Sequence, residues 1–492
     1  MDATTGTIWP GDGILALQQS QSALFAEVFR QGLGTNRAQY LNFYVGDSIA
    51  RGRTTVDVGV RYDRQGGSAL PSVTQANPAF PTLVPGLNFA GYEAPFTWNT
   101  ISPRAGLAYA LDESRRTIAR VSYSRFAGQL DTGTIGYANP TSTAGVAIYP
   151  WVDANGDHLA QANEVNTSQR LGSANGFNPA NPTAVTSSNV IDPNLKAPVT
   201  QSVVAGIDRE LLPNLAIQIS YTYNRTTNLI GNNTAQVTPR VGVTLADYAP
   251  GPTLTGTLPN GAPYSVPTFI PNQALVTAGG GGFLLTNWNG SYTEYNGLEL
   301  TLVKRLSNRW MGRAGFSYNN AREFYAPQAR YDTNGNPTPT ITEPLVNGGQ
   351  FAPQSSGDGL GNIYINAKWQ INANAMYQLP YGLEVAGNVF GRQGYPFPLY
   401  RSQTLGADTS LPVLVTPAID TFRYPNLWDT DLRMAKTLRL GTAHLQLVAD
   451  VFNLFNANTA LVRNNNILSP TFNTLAQNLS PRIFRAGVII AF

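Results

Sequence analysis

Six residues of one short stretch have the types and spacing of ligands for a hard cation. Asp153, Asn155, Asp157, Leu159, Gln161 and Glu164 stand at positions 1, 3, 5, 7, 9 and 12 of a calcium-loop pattern. The carboxylates and amides supply oxygen donors, Leu159 offers its backbone carbonyl, and Glu164 can bind with both oxygens. The departure is at position 6, where the sharp turn favours Gly. His158 stands there, and Gly156 comes two residues earlier. The run Asp-Ala-Asn-Gly-Asp is also good turn sequence, so a polar loop of Asx turns without Ca²⁺ is the alternative.

Other chemistry is scarce. His158 and His444 are the only histidines, and there is no Cys. Disulfides and thiolate chemistry are excluded, and a Ser-His-Asp or Cys-His site lacks its parts. His444 begins an expected strand beside a turn and reads as an interface residue. The glycine-bearing tips STAGV (Ser142 to Val146) and GGGGF (Gly279 to Phe283) lack the Lys-Ser/Thr and the helix of a phosphate cradle. No enzyme is expected, and no catalytic or cofactor-binding residues are assigned.

The elements that must position the 153–164 loop are strands. Val56, Val58, Val60 and Tyr62 alternate with Asp57, Gly59, Arg61 and Asp63. Leu215, Ile217, Ile219, Tyr221 and Tyr223 alternate in the same way with Gln218, Ser220, Thr222 and Asn224. This period of two marks β-strands with one apolar and one polar face. Strand pairs with short turns are expected at Gln39 to Asp63, Ser102 to Phe126, Gln201 to Asn224, Tyr295 to Asn319, Trp369 to Arg392 and Asp429 to Phe455. A last strand runs through Pro481 to Phe492, with Phe484, Ala486, Val488, Ile490 and Phe492 on one face. Between the pairs lie long connections, such as 127–200 and 226–293. Long structureless loops count against a compact soluble domain. Short turns alternating with long loops are what an outer-membrane barrel shows at its periplasmic and extracellular ends.

Composition agrees. Only 12% of the 492 residues are charged, half the usual share of roughly 25%, yet the mean hydropathy is −0.16. Alternating strands with Asn/Thr/Gly/Pro loops produce that balance. No run of about 18 apolar residues exists to form a membrane helix. The net charge of +3 and the absence of a basic stripe give no sign of nucleic acid. The expected fold is all-β: a transmembrane antiparallel β-barrel of about 13–14 strands, partial with respect to a larger barrel, in the outer membrane of a Gram-negative cell. A soluble sandwich or propeller is the competing architecture. Residues 39–492 form the barrel region. Residues 1–38 are expected to be an amino-terminal segment of an extracellular loop. Within it Leu15, Leu17, Leu24, Phe25 and Phe29 predict a short amphipathic helix between Gly13 and Gly34. No signal peptide is evident after Met1. An odd strand count suggests that Thr4 to Trp9 ends another strand, or that upstream strands are absent.

Several stretches resemble TonB-dependent outer-membrane receptors. FYVGDSIARGRTTVDVGVRYD (Phe43 to Asp63) resembles a hairpin of that family, and ISPRAGLAYAL (Ile101 to Leu111) is similar to the next one. VVAGIDRELLPNLAIQISYTYNRTTNL, TEYNGLELTLVKRLSNRWMGRAGFSYN and LWDTDLRMAKTLRL followed by LQLVADVFNLFNAN match its style. The run Asp153 to Asp157 is similar to loop stretches of its Oar-like, carboxypeptidase-regulatory-domain-containing branch. The resemblance covers Gln39 to Phe492. It implies import of a bulky ligand across the lipid bilayer, energised by the TonB complex. The family's amino-terminal plug and TonB box have no counterpart here, and no ligand-contacting residue carries over. A passive porin-like channel and a surface adhesin barrel remain the alternatives.

Overall fold

The computed structural model describes residues 13–491 apart from 21–22, 175–176, 188, 236–247, 272–282, 289, 325–347, 354, 356–362, 405–409 and 442. Segment 4–9, Gly279 to Gly282 and Phe492 lie outside the described residues. Thirteen strands form one antiparallel wall in chain order. They are β1 (Asn36–Arg51), β2 (Thr54–Ala69), β3 (Trp98–Ala110), β4 (Thr117–Ala127), β5 (Val199–Leu212) and β6 (Leu215–Thr227). There follow β7 (Tyr292–Ser307), β8 (Trp310–Phe324), β9 (Trp369–Leu379) and β10 (Leu383–Arg392). The last three are β11 (Leu427–Leu440), β12 (Ala443–Phe452) and β13 (Ile483–Ala491). The expected strands are all present. The twelfth ends at Phe452, earlier than the expected Phe455.

Local chemistry makes the short turns. Asn308 and Arg309 both adopt positive φ between paired Ser307 and Trp310, the type I′ requirement whose twist matches the strands. Pro213 precedes Asn214, which has φ +68°, and so supplies the two residues a type II turn prefers. At the turn between β3 and β4, the Asp112 carboxylate accepts the N–H groups of Arg116 and Thr117.

Register carries the pattern across the wall. Val56, Leu107, Val121, Ala205, Tyr221, Leu298, Tyr318 and Trp369 are successive partners from β2 to β9. A second row runs Ile207, Ile219, Leu300, Phe316 and Ile371. These rows make one continuous apolar face. The opposite face carries Asp57, Arg104, Arg120, Asp208, Glu299 and Arg433 among Ser, Thr, Asn and Gly. A one-residue slip anywhere would exchange the faces. No ladder joins β1 to β13 among the described residues, and each has one wall neighbour. Their apolar side chains are the barest of the wall: Phe43 is 64% and Phe484 72% exposed, against 36% for Leu300 between two neighbours.

The long connections fold into a cap with cores of its own. One core gathers Ile14, Ala26, Val28, Tyr149, Trp151 and Phe177. A second gathers Phe96, Trp98, Leu130, Ile135, Ile191 and Leu195. A third joins Leu254 and Tyr264 to Leu399, Val413 and Val415.

The expected helix between Gly13 and Gly34 is not formed. Ile14–Ser20 and Ala23–Phe29 are paired strands, and the second also pairs with Val146–Pro150. The apolar positions fit a helical stripe, but a partner strand more than a hundred residues away satisfies the backbone instead. Tertiary pairing overrides local period in so short a segment.

Candidate functional site

The predicted cation loop joins two cap elements. Trp151, a member of the first core, precedes it. The 3-10 turn Ala162–Glu164 closes it. Glu164 is buried, and its Oε1 accepts the Ala154 N–H at 3.0 Å, so the ends of the loop meet. Its Oε2 accepts Trp151 Nε1 and the Gln161 N–H, each at 3.3 Å. Asp153 accepts the Gly156 N–H at 2.8 Å and the His158 N–H at 3.1 Å.

His158 takes φ +62° at the position where the pattern asks for Gly, and Gly156 takes φ +75°. The chain thus makes the sharp turn despite the missing Gly, with a side chain in a region that costs about 1–2 kcal/mol. His158 Nδ1 lies 3.2 Å from Asp153 Oδ2.

The structure brings Asp153, Asn155, Asp157, Gln161 and Glu164 into one hydrogen-bonded loop. Asn155 Nδ2 donates to Asp157 Oδ2 at 3.0 Å and to Gln161 Oε1 at 3.0 Å, and Gln161 Nε2 donates to Asp157 Oδ2 at 2.5 Å. The Leu159 side chain is exposed, and its N–H donates to Asp157 Oδ1. That backbone bond, with the two amides, holds the Asp157 carboxyl below the usual carboxylate range. The donor types fit a hard cation. The arrangement itself is that of Asx turns, and among the described residues no three acidic or histidine groups are placed to hold a metal ion.

Sequence reasoning missed a charged cluster on the polar face of the wall. Asp450 on β12 is buried between Arg433 of β11 and Arg485 of β13. Arg433 grips it through two bonds of 2.7 and 3.2 Å, and Arg485 adds bonds of 2.8 and 2.7 Å. Two-pronged Arg–carboxylate pairs are the stronger kind. A cleft of about 300 Å³ beside them is also lined by Met311, Met376, Asn388 and Asp431. The three charged residues share a face by period two, but they come from strands spread over more than fifty residues. Only register shows that they meet.

His444 is the second residue of β12, beside the short turn and paired with Arg439, where an interface residue is expected. Ser142 to Val146 runs along the cap, where the Gly145 carbonyl accepts the Arg30 N–H at 2.8 Å and the Thr141 carbonyl just before it accepts the Leu33 N–H at 2.9 Å.

The chain matches the family model described as an outer membrane beta barrel domain over residues 17–393. Among solved structures it is similar to the outer membrane transporter YddB from Escherichia coli, at 13% identity, 96% of this chain, 53% of that chain and a TM-score of 0.45. It is similar to the siderophore receptor PiuA from Acinetobacter baumannii, at 13% identity, 95% and 44% coverage and a TM-score of 0.46. The FrpB iron transporter from Neisseria meningitidis follows at 12% identity, 96% and 53% coverage and a TM-score of 0.44. The chain spans about half the length of these structures. No curated protein matches it. With three quarters of its length under one family model and an antiparallel wall that is apolar on one face and polar on the other, the chain belongs to the outer membrane β-barrel domain family and resides in the outer membrane.

Proposed function

We propose that this chain supplies the wall and the extracellular cap of a TonB-dependent receptor of the Oar-like branch, which binds and imports a bulky ligand across the outer membrane of a Gram-negative cell. The observation that carries this reading is the division of the connections. Every second one is a tight turn, and the others fold into a cap with hydrophobic cores at the opposite end. A passive pore has little use for a cap that buries aromatic cores. A receptor needs such a surface to present ligand contacts above a polar wall.

In this reading the charged groups of the polar face line the route of the ligand. The open edges at β1 and β13 pair with further strands, because unpaired backbone in lipid costs several kcal/mol per group. The receptor is a transporter and not an enzyme. Ca²⁺ at Asp153, Asn155, Asp157, Leu159, Gln161 and Glu164 rigidifies one cap loop by taking the place of the amide N–H groups that now face Asp157.

Solute uptake by cells carrying the complete receptor tests the main reading, with TonB present or deleted. Uptake that disappears with TonB is the expected result. Uptake indifferent to TonB, with steady conductance in planar bilayers, identifies a porin-like channel. Cell binding without uptake identifies an adhesin. For the loop, calcium is expected to protect the parent chain from protease, and Asp153→Ala with Glu164→Ala to remove that protection. Equal digestion of the parent with and without calcium would sink the calcium reading alone.

A further inference from the structure

Most charges on the apolar face lie toward the ends of the strands, with Asp47 between Val45 and Ile49 of β1 as an exception, and at the cap end several fall into line. Arg125 on β4 pairs with Gln201 on β5, which pairs with Arg225 on β6. Arg225 pairs with Glu294 on β7, and Glu294 with Arg322 on β8. The row crosses five adjacent strands, with arginines on alternate strands about 10 Å apart. Aromatic rings border it on both sides. Tyr123 and Tyr223 lie one step toward the middle of the wall. Tyr292 and Phe324, one step toward the cap, stack at 4.6 Å, and Arg225 lies 4.0 Å over the Tyr292 ring.

Of these guanidinium-bearing residues Arg322 is exposed, Arg125 and Arg225 are half-buried, and Glu294 is the one carboxylate in line with them. None of the three forms an ion pair among the described residues. Arg125 donates to the Ile101 carbonyl, Arg322 reaches Asn320 Oδ1 at 3.4 Å, and Arg225 Nε has no partner. Glu294 accepts from Tyr223 Oη at 3.1 Å. At the turn end Lys304 donates to the Arg305 and Ser307 carbonyls of its own turn, and Lys436 donates to the Tyr381 carbonyl. Lys304 and Lys436 are held by backbone carbonyls, as Arg125 is, whereas among the described residues Arg225 and Arg322 donate to no backbone carbonyl.

We propose that the row formed by Arg125, Arg225 and Arg322 binds the phosphate groups of anionic lipid headgroups at the membrane surface beneath the cap. The inference rests on the barrel and its orientation of faces, and not on TonB dependence or ligand import. Its physical basis is position. The row lies on the face turned to lipid, at the limit of the apolar band, between aromatic rings of an interfacial girdle. Arginine is suited to phosphate because its planar fork binds two oxygens at once. Neighbouring arginines on alternate strands offer several such forks to one headgroup layer.

The test titrates lipid A, a lipid with two phosphate monoesters, into the full chain in nonionic detergent, with binding read by native mass spectrometry. Replacing all three residues, Arg125→Gln, Arg225→Gln and Arg322→Gln, is expected to weaken binding about a hundredfold, from about a kilocalorie per basic residue near an anionic surface. Added salt weakens the parent in the same direction. Glu294→Gln removes the one negative charge of the row and is expected to tighten binding. Lys304→Gln with Lys436→Gln leaves it unchanged. Equal affinity of the triple variant and the parent overturns the proposal, as does equal affinity for dephosphorylated lipid A. Inorganic phosphate that competes as well as the lipid, concentration for concentration, overturns the assignment to a lipid. If the triple variant does not fold, Arg225→Gln and Glu294→Gln decide: no weakening in the first and no tightening in the second reject the row.

Discussion

The wall and the cap solve opposite solvent problems with the same strand. In the wall, Ile219, Leu300 and Phe316 turn to the lipid side and remain accessible, and Asp57, Arg104 and Asp208 take the opposite face. In the cap, Ile14, Leu130 and Ile135 are fully buried, and polar groups buried with them, such as Asn77 and Thr141, are hydrogen-bonded. The cap obeys the ordinary rule that apolar area leaves water. The wall reverses it because its outer solvent is hydrocarbon, where the backbone must be satisfied by neighbouring strands. A row of exposed valines and aromatics that would mark an aggregation hazard in water is therefore the working surface of the wall.

The largest effects should separate the two regions. Leu130→Ala removes a fully buried side chain of the second cap core and should cost about 2–5 kcal/mol. Limited proteolysis should then cut the cap while the wall keeps its β spectrum, because regions with separate cores open separately. Loss of both together would show that wall and cap are one cooperative unit. In the wall, Phe316→Arg should cost about 2–4 kcal/mol near the middle of the lipid face, read by denaturant unfolding from lipid vesicles. The same measurement on Ile135→Arg in the cap should show loss even in detergent without bilayer. If the two respond alike to the bilayer, the assignment of faces is wrong.

A smaller effect concerns pH at the turn end. The hydroxyl of Ser114, with the Arg116 and Thr117 N–H groups, holds the Asp112 carboxyl well below the usual carboxylate range. A carboxyl lowered on folding stabilises the fold above its unfolded pKa, and that contribution is lost as the pH falls through the lower folded value. Acid titration should therefore loosen this turn only under strongly acid conditions, and Asp112→Asn should remove the dependence. The smallest effect belongs to the cap. His158→Gly relieves a left-handed side chain at φ +62° and should stiffen the 153–164 loop by about 1 kcal/mol, read as slower cleavage by protease. Faster cleavage would mean that the 3.2 Å contact of His158 with Asp153 outweighs the strain.

Heat modifiability sharpens the comparison further. Among the described residues β1 and β13 each have one wall neighbour and no ladder joins them. Unboiled chain refolded in detergent is expected to show a β spectrum without the faster gel migration of a closed barrel. Faster migration would show that β1 and β13 meet.

The alternation of Val56 to Asp63 and of Leu215 to Asn224 was sufficient by itself to place strands, faces and tight turns. In a wall each strand meets its solvent directly, so period two states burial without knowledge of any distant partner. Turn chemistry at Asn308 and Pro213-Asn214 was legible for the same local reason. The spacing from Asp153 to Glu164 named donor types, but not which way the amides of the loop would turn. Only tertiary structure decided the rest. Ala23–Phe29 is a strand because Val146–Pro150 lies beside it, a contact that no local window contains. The bonds of Asp450 to Arg433 and Arg485, and the line of Arg125, Arg225 and Arg322, depend on register summed over several strands. A residue's own sequence neighbourhood sets which face it takes, whereas its companions on that face are set by pairing between segments far apart in the chain.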